Sequence, residues 1–320
     1  MSNVEVTKKY VEREVTFITR YKGNIVNVEP VSKHVDADEI VSIASDARSS
    51  MGALLLDAGK ITVQEAEAII DLQKEEGLRF GDAAKQFGLI SEADIQKALS
   101  QQFDFPYIAP SDDVFSQDII AAYQPYCKQV EALRAVRSQL MLRWFNDDRK
   151  LLSIVSPDRN EGRSYISANL AVVFSQLGKK TLLIDANLRD PKQHELFKLE
   201  QKKGLSDLLA SRADQSVVYK LPQFHNLSIL PAGTVPPNPA EMISRGLNII
   251  LQRFSQEYEV ILIDTPAIQH GTEAQIIAAH CGGCLIVSRQ DHTRMKDLEI
   301  MKSDLEQANI QCLGMVINDY

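Results

Sequence analysis

The sequence predicts an α/β protein with a doubly wound, mostly parallel sheet, preceded by a small all-helical N-terminal domain. Three observations predict this. The apolar runs LLSIVSP, TLLIDAN, LSILPAG, VILIDTP, GCLIVSR and CLGMVIND alternate with helical stretches, which is the pattern of buried parallel strands joined by crossover helices. The first run leads through a polar turn directly into a long helical segment. Upstream, one helical pattern occurs twice in tandem. The right-handed crossover rule makes the doubly wound arrangement the simplest topology for the larger part.

Residues 1–45 hold no sustained helical or strand period and read as a flexible N-terminal segment, with short extended pieces at VTFI and NIVNV. Residues 46–110 carry the repeat, MGALLLDAGKITVQEAEAIIDLQ followed by FGDAAKQFGLISEADIQKALSQQ. Gly52 and Gly81, Gly59 and Gly88, Ile61 and Ile90, and Thr62 and Ser91 correspond. Thr62 with Glu65, and Ser91 with Asp94, have capping-box spacing, so their oxygens would satisfy amides freed at two helix starts. Gly59 and Gly88 would end the preceding short helices by taking left-handed angles. Two packed helical hairpins are the expected result. Residues 111–320 form the α/β domain. Its helices are expected over VEALRAVRSQLMLRWF, SYISANLAVVFSQLGKK, GLSDLLA, EMISRGLNIILQRFSQEY, EAQIIAAH and DLEIMKSDLEQAN.

Composition narrows the function. Of 320 residues, 44% are hydrophobic and 24% charged, the balance of an ordinary folded domain, and the net charge is −8 without a Lys/Arg tract. Nucleic acid is therefore not the expected partner, because binding its backbone calls for clustered positive charge. No run approaches the roughly 20 apolar residues that span a bilayer, and MSNVEVTKKYVEREVTFITR lacks a signal-peptide core, so a cytoplasmic protein is expected. Cys281-Gly282-Gly283-Cys284 has the spacing of half a zinc site, but no second pair completes it. Its place before LIVS favours buried small hydrophobes.

The turn after the first strand reads Ser156-Pro157-Asp158-Arg159-Asn160-Glu161-Gly162-Arg163-Ser164 and opens a helix. Strand, tight turn and helix N-terminus are the context of a Walker A phosphate loop. The residues fit that pattern less well: Pro157 stands where the leading glycine belongs, and Arg163 where the lysine belongs. Gly162 remains, Asn160 tolerates unusual backbone angles, and Ser164 offers a hydroxyl for Mg²⁺. Asp185 ends the strand TLLID and Asp264 ends VILID. Ligands of open α/β sheets bind beyond the carboxyl ends of strands, so both carboxylates are expected near the loop. One carboxylate can position a magnesium water while another activates a hydroxyl; either can instead cap the turn that follows it.

EALRAVRSQL, EGRSYISANLAVVFSQLGKKTLLIDANLRDPKQHELFKLEQKKGLSDLLA, LPAGTVPPNPAEMI and YEVILIDTP together resemble the bacterial tyrosine kinases of exopolysaccharide and capsule biosynthesis. That family falls in the deviant-Walker P-loop group that includes chromosome-partitioning ATPases. Within it, the chain is most similar to the chain-length-determinant-associated kinases of exosortase-linked clusters. The resemblance covers roughly 125–320 and implies ATP and Mg²⁺. Asn160, Glu161, Gly162, Arg163, Ser164 and Tyr165 would contact the nucleotide, and Ser164, Asp185 and Asp264 the metal. Asp185, Asp264 and Arg163 would be catalytic, with Asp185 as the activating carboxylate. Asn187 stands where the family has a second aspartate, and asparagine cannot accept a proton as carboxylate does. The chain ends VINDY, so Tyr320 is the one tail tyrosine where the family has a cluster.

Glu131, Arg134 and Arg137 match the family's Glu-x-x-Arg-x-x-Arg assembly motif. The motif implies a homo-oligomer, such as a ring, working with a membrane chain-length-determinant protein and so peripheral to the inner membrane. Their spacing equally suits a network within one helix. The repeat at 50–102 resembles the N-terminal domain of type II secretion ATPases, notably the variant that binds cyclic di-GMP. Ser50–Gln73 and Arg79–Gln102 fit its spacing, Arg79 keeps its stacking arginine, and Ser50 does not. The reading is an ATP-dependent tyrosine kinase homologue regulating polysaccharide chain length and export. The alternative is a catalytically weak or inactive nucleotide-sensing assembly protein, with cyclic di-GMP as an input.

Overall fold

The computed structural model describes residues 18–21, 26–27, 51–91, 94–95, 98, 106–109, 111–200 and 202–319. The chain divides into two compact units, Pro30–Asp112 and Met1–Glu29 with Asp113–Tyr320. Ser50, Gln102 and Tyr320 lie outside the described residues.

In the first unit, helices α1 (Met51–Asp57), α2 (Val63–Glu76) and α3 (Phe80–Gln86) pack around Leu55, Ile69, Ala83 and Ala84, all nearly inaccessible to solvent. Thr62 caps α2 in a full capping box: the Glu65 amide donates to Thr62 Oγ1 at 3.3 Å and the Thr62 amide to Glu65 Oε2 at 2.7 Å. Ser91 and Asp94 repeat it, with the Ser91 amide on Asp94 Oδ2 at 3.0 Å and the Asp94 amide on Ser91 Oγ at 3.2 Å. Gly59 and Gly88 take φ of 64° and 68°, the left-handed angles expected of helix-ending glycines. The repeats also exchange contacts. A Cβ on Gly52 would lie 3.2 Å from the Phe80 ring, and one on Gly81 would lie 3.4 Å from Met51 Sδ. Each copy's glycine thus receives the residue that precedes the other copy's glycine. Arg79 is exposed at the N-cap of α3.

The second unit is built on a nine-stranded sheet. In chain order its strands are β1 (Ile18–Tyr21), β2 (Val26–Asn27), β3 (Leu151–Val155), β4 (Thr181–Asp185), β5 (Tyr219–Lys220), β6 (Leu227–Leu230), β7 (Val260–Asp264), β8 (Gly283–Arg289) and β9 (Gln311–Asn318). The spatial order is β2-β1-β9-β8-β3-β7-β4-β6-β5, with every pair parallel except the outermost two. Within the segment 1–45, β2 falls inside the expected extended piece NIVNV and β1 begins at the last residue of VTFI; the pairing of β1 along β9 and β2 along β1 adds both to the sheet. Such an addition satisfies backbone groups that an uncovered edge would leave open.

Helices α4 (Ile120–Tyr123), α5 (Lys128–Arg143), α6 (Arg163–Gln176), α7 (Gln193–Leu196), α8 (Leu205–Leu209), α9 (Pro239–Phe254), α10 (Glu273–Cys281) and α11 (Met295–Gln307) complete the unit. Pro239 opens α9, where its missing N–H costs nothing, and Ile243, Leu247 and Leu251 form its buried stripe. They pack with Ile277 of α10 on Leu182, Ile184, Ile261 and Ile263. Alternate strand residues such as Leu183 and Leu262 face the other side, where α6 runs against β4 and β7. Helix α6 is buried almost all round, and its axis fixes where the loop before it can sit.

The paired glycines of the Cys281–Cys284 segment have a packing explanation. Gly282 ends α10 at φ 73°, and a Cβ on Gly283 would lie 2.6 Å from the Trp144 ring. Trp144 in turn donates from Nε1 to the Leu151 carbonyl at 2.8 Å. Cys281 and Cys284 are buried and free, and burial raises the Cys281 thiol well above its usual range. Among the described residues, no helix is long and apolar enough to cross a membrane.

Ser91 hydrogen bonds and Lys60 hold the Asp94 carboxyl down at about 2. Because its folded value lies below the unfolded 3.8, its contribution is present above about pH 4 and is lost as the pH falls through about 2. Asp94→Ala should cost the helical unit about 1 kcal/mol near neutrality. The difference should vanish near pH 2, as measured by hydrogen exchange over α2 and α3.

Candidate nucleotide site

Strand β3 ends at Val155, and Ser156–Gly162 turn into α6. Asn160 at φ 58° and Gly162 at φ 92° are both left-handed, so the turn curls sharply before the helix. Gly162 has a second reason to be glycine, because a Cβ there would stand 2.1 Å from Asn318 Nδ2. Beyond the loop lies a cleft of about 180 Å³. Asn160, Glu161, Gly162, Arg163, Ser164 and Tyr165 all line it, as do the cations Arg159, Arg189 and Lys192. Glu161 and Asp190 line it too, and Arg189 and Lys192 are paired with Glu273 and with Asp190 and Glu195, so the lining is of mixed charge; amides at a helix mouth suit a polyphosphate.

Arg163 is 7% exposed and works chiefly on the loop itself. Its Nε donates to the Thr265 carbonyl at 2.8 Å, and Nη1 donates to the Asp158 carbonyl at 2.8 Å and to Ser156 Oγ. A planar guanidinium can bind several acceptors in this way, whereas a lysine ammonium would not span them. The residue expected to reach the phosphates thus ties the loop to the end of β7. Burial lowers its pKa, opposed first by the charge of Asp264. Asp158 faces His270 Nε2 at 2.7 Å; the Arg159 amide and His270 hold its carboxyl below the usual range.

Asp185 and Asp264 are directly registered neighbours on β4 and β7, so the sheet places the two carboxylates side by side. Both are fully buried, and neither lines the cleft. Asp185 takes up the turn-capping pattern: it accepts from the amides of Asn187 at 3.1 Å, Lys192 at 3.0 Å and Gln193 at 2.9 Å. These amides take three of the carboxylate's four acceptor positions, two on Oδ2 and one on Oδ1, so Oδ1 keeps one lone pair. Asp264 differs, since its Oδ2 accepts from Gln193 Nε2 at 2.8 Å while its buried Oδ1 has no hydrogen bond of normal geometry. Burial, followed by the charge of Asp264, pushes Asp185 up to about 8. Burial also raises Asp264, against the opposing charge of Arg163 and the Ser164 hydroxyl.

These atoms bear on Mg²⁺. Two buried carboxylates in register, one with an orphaned oxygen, form a pair that a cation would relieve, and Ser164 stands between them and the cleft. No group of three or more His, Cys, Asp or Glu able to hold a metal occurs among the described residues. Ser164 and Asp264 lie together and offer one hydroxyl and one carboxylate, a donor set that fits an ion completed by oxygens of water and phosphate, as Mg²⁺ commonly is.

Asn187 lines the cleft, but its amide group is committed to the backbone of Asp190 at 2.6 and 3.3 Å. Gln193 was not singled out by the sequence reading. It is fully buried and donates from Nε2 to both Asp264 and the Ser164 carbonyl, joining loop, helix and strand end. Only its place eight residues after a strand-end aspartate hinted at this. The Glu131-Arg134-Arg137 triad is divided. Arg134 pairs with Glu131 along α5, while Arg137 Nη1 donates to the Val173 carbonyl at 2.7 Å and pins α5 to α6.

Strand, curled loop, helix mouth and paired strand-end carboxylates define a P-loop nucleotide-binding domain. Known proteins agree. The tyrosine-protein kinase YwqD of Bacillus subtilis is 32% identical over 203 residues, covering 63% of this chain and 86% of that protein. The tyrosine-protein kinase wzc of Salmonella typhi is 33% identical over 201 residues, 62% of this chain but only 28% of that longer protein. The kinase domain of Escherichia coli tyrosine kinase ETK superposes with a TM-score of 0.59 at 29% identity, over 62% of this chain and 79% of that one. The chimerical protein CapA2B2 gives 0.60 at 28%, over 69% and 97%. No protein-family model matches. The chain belongs to the bacterial tyrosine-protein kinase family.

The carboxylate pair sets a pH dependence. A raised carboxyl contributes fully below its unfolded value near 3.8, and that contribution is lost as the pH rises toward about 8. The melting temperature of the nucleotide-free protein should fall across this range. Asp264→Asn should flatten the fall and Mg²⁺ should partly reverse it, both read by thermal melts.

Proposed function

We propose that the chain is an ATP-dependent protein tyrosine kinase that regulates the chain length and export of an exopolysaccharide. The observation that carries this reading is the adjacency of the helix-mouth loop to Asp264, whose Oδ1 lacks a partner. ATP with Mg²⁺ would supply the transferable phosphoryl group. The amides of Glu161, Gly162, Ser164 and Tyr165 would hold the phosphates, with Arg159, Arg189 and Lys192 adding charge. Ser164 and Asp264 would hold the metal. Arg163 ties the loop to the end of β7, and Asp185 organises the turn that presents Gln193. The family membership supports the reaction class.

A second reading is favoured by two contacts. Arg163 is folded into the loop, and Asn187 is bound to Asp190 where a second carboxylate would serve. On that reading the chain senses nucleotide and assembles but transfers little. The cyclic di-GMP input would then act through the exposed Arg79.

Transfer of labelled γ-phosphate to tyrosine under single-turnover conditions tests the proposal. Asp264→Asn should slow it about a hundredfold, the scale of losing a transition-state charge partner. Nucleotide binding without any product from the wild type would favour the second reading.

Assembly belongs to the same proposal: a homo-oligomer formed through the exposed part of α5, docked to a membrane chain-length-determinant protein at the inner face of the membrane, with no nucleic acid. Glu131 and Arg134 would serve it, whereas Arg137 is spent on Val173. Arg134→Ala should lower the mass measured by light scattering and leave the melting temperature nearly unchanged. Arg137→Ala should lower the melting temperature by leaving a buried carbonyl without its donor.

A further inference from the structure

A phosphate loop that keeps few glycines needs some other means of aiming its amides. In a planar trans peptide the C=O and the following N–H point in opposite directions, so a grip on the carbonyl aims the amide. Two consecutive loop carbonyls are gripped from outside. Arg289 Nη1 donates to the Asn160 carbonyl at 3.4 Å, and Asn318 Nδ2 donates to the Glu161 carbonyl at 3.2 Å. The amides set by those two peptides belong to Glu161 and Gly162.

A third contact fixes the side chain between them. Glu161 is 1% exposed; its Oε1 accepts from Thr293 Oγ1 at 2.7 Å and its Oε2 from the Asp158 amide at 3.3 Å. Thr293 is itself oriented, since its Oγ1 accepts from the Arg289 amide at 2.7 Å. Asn318 is 3% exposed and closes β9, and its carbonyl accepts from the Gln290 amide at 2.8 Å. The ends of β8 and β9, with the turn before α11, thus form one hydrogen-bonded frame around the outside of the loop.

We infer that Thr293 and Asn318 are positioning residues for nucleotide binding, holding Glu161 and Gly162 so that their amides face the phosphates. This rests on the nucleotide reading above, but the frame can be tested without it. In the nucleotide-free full chain, hydrogen exchange of the Asp158 amide, which donates to Glu161 Oε2, should quicken about tenfold or more in Thr293→Val and in Asn318→Ala, the scale of losing one hydrogen bond to a charged or buried group. Thr293→Ser, which keeps the hydroxyl, should restore the wild-type rate. Affinity for Mg·ADP should weaken by a similar factor, while phosphoryl transfer at saturating nucleotide changes little.

Wild-type exchange rates in both variants would overturn the inference. So would an equal loss in Thr293→Ser, which would mark a packing role. Faster exchange in the variants of a chain that binds no nucleotide would uphold the frame and sink the nucleotide reading instead.

Discussion

Two carboxylates, Asp185 and Asp264, sit in register at the ends of adjacent parallel strands, with no exposed surface on either. Like charges in a dry place repel strongly, and this pair persists because its neighbours compensate. Three backbone amides turn toward Asp185, while Gln193, Arg163 and Ser164 surround Asp264. Much of the local architecture follows from that need. The turn after β4 wraps back on Asp185, and α7 begins with the amides that cap it. Gln193 spans from there to the start of α6. Compensation is left incomplete at a single carboxylate oxygen, Oδ1 of Asp264.

The loop between β3 and α6 takes its shape without most of the residues customary in a Walker A turn. Its curvature comes from one asparagine and one glycine at positive φ, and its floor is an arginine that binds three acceptors. Its outer wall is supplied by strands distant in sequence. The shape is held by side chains where other loops rely on backbone freedom. More of the protein is implicated in the shape of such a loop.

Much of this was legible in the sequence, for identifiable reasons. Parallel strands buried on both faces announce themselves as unbroken apolar runs, and both capping boxes follow from spacing alone. The convergence of Asp185 and Asp264 followed from the rule about strand ends. What escaped the reading depends on long-range register. Nothing local says that Arg163 turns inward or that Arg137 reaches Val173, whereas the turn cap made by Asp185 was one of the two roles open to a strand-end aspartate. The pairing of β1 was equally hidden, because a short extended piece reveals its partner only when the far edge of the sheet is known.

Trp144 is the chain's sole tryptophan, lying where α5 ends, with its ring against Gly283 and its indole nitrogen on β3. The Arg149 guanidinium lies 5.1 Å from the ring centroid. Its emission is therefore an intrinsic reporter of how α5 seats on the sheet. Any event that tugs on that helix, including association of subunits along its outer side, would register as a spectral change with no label attached.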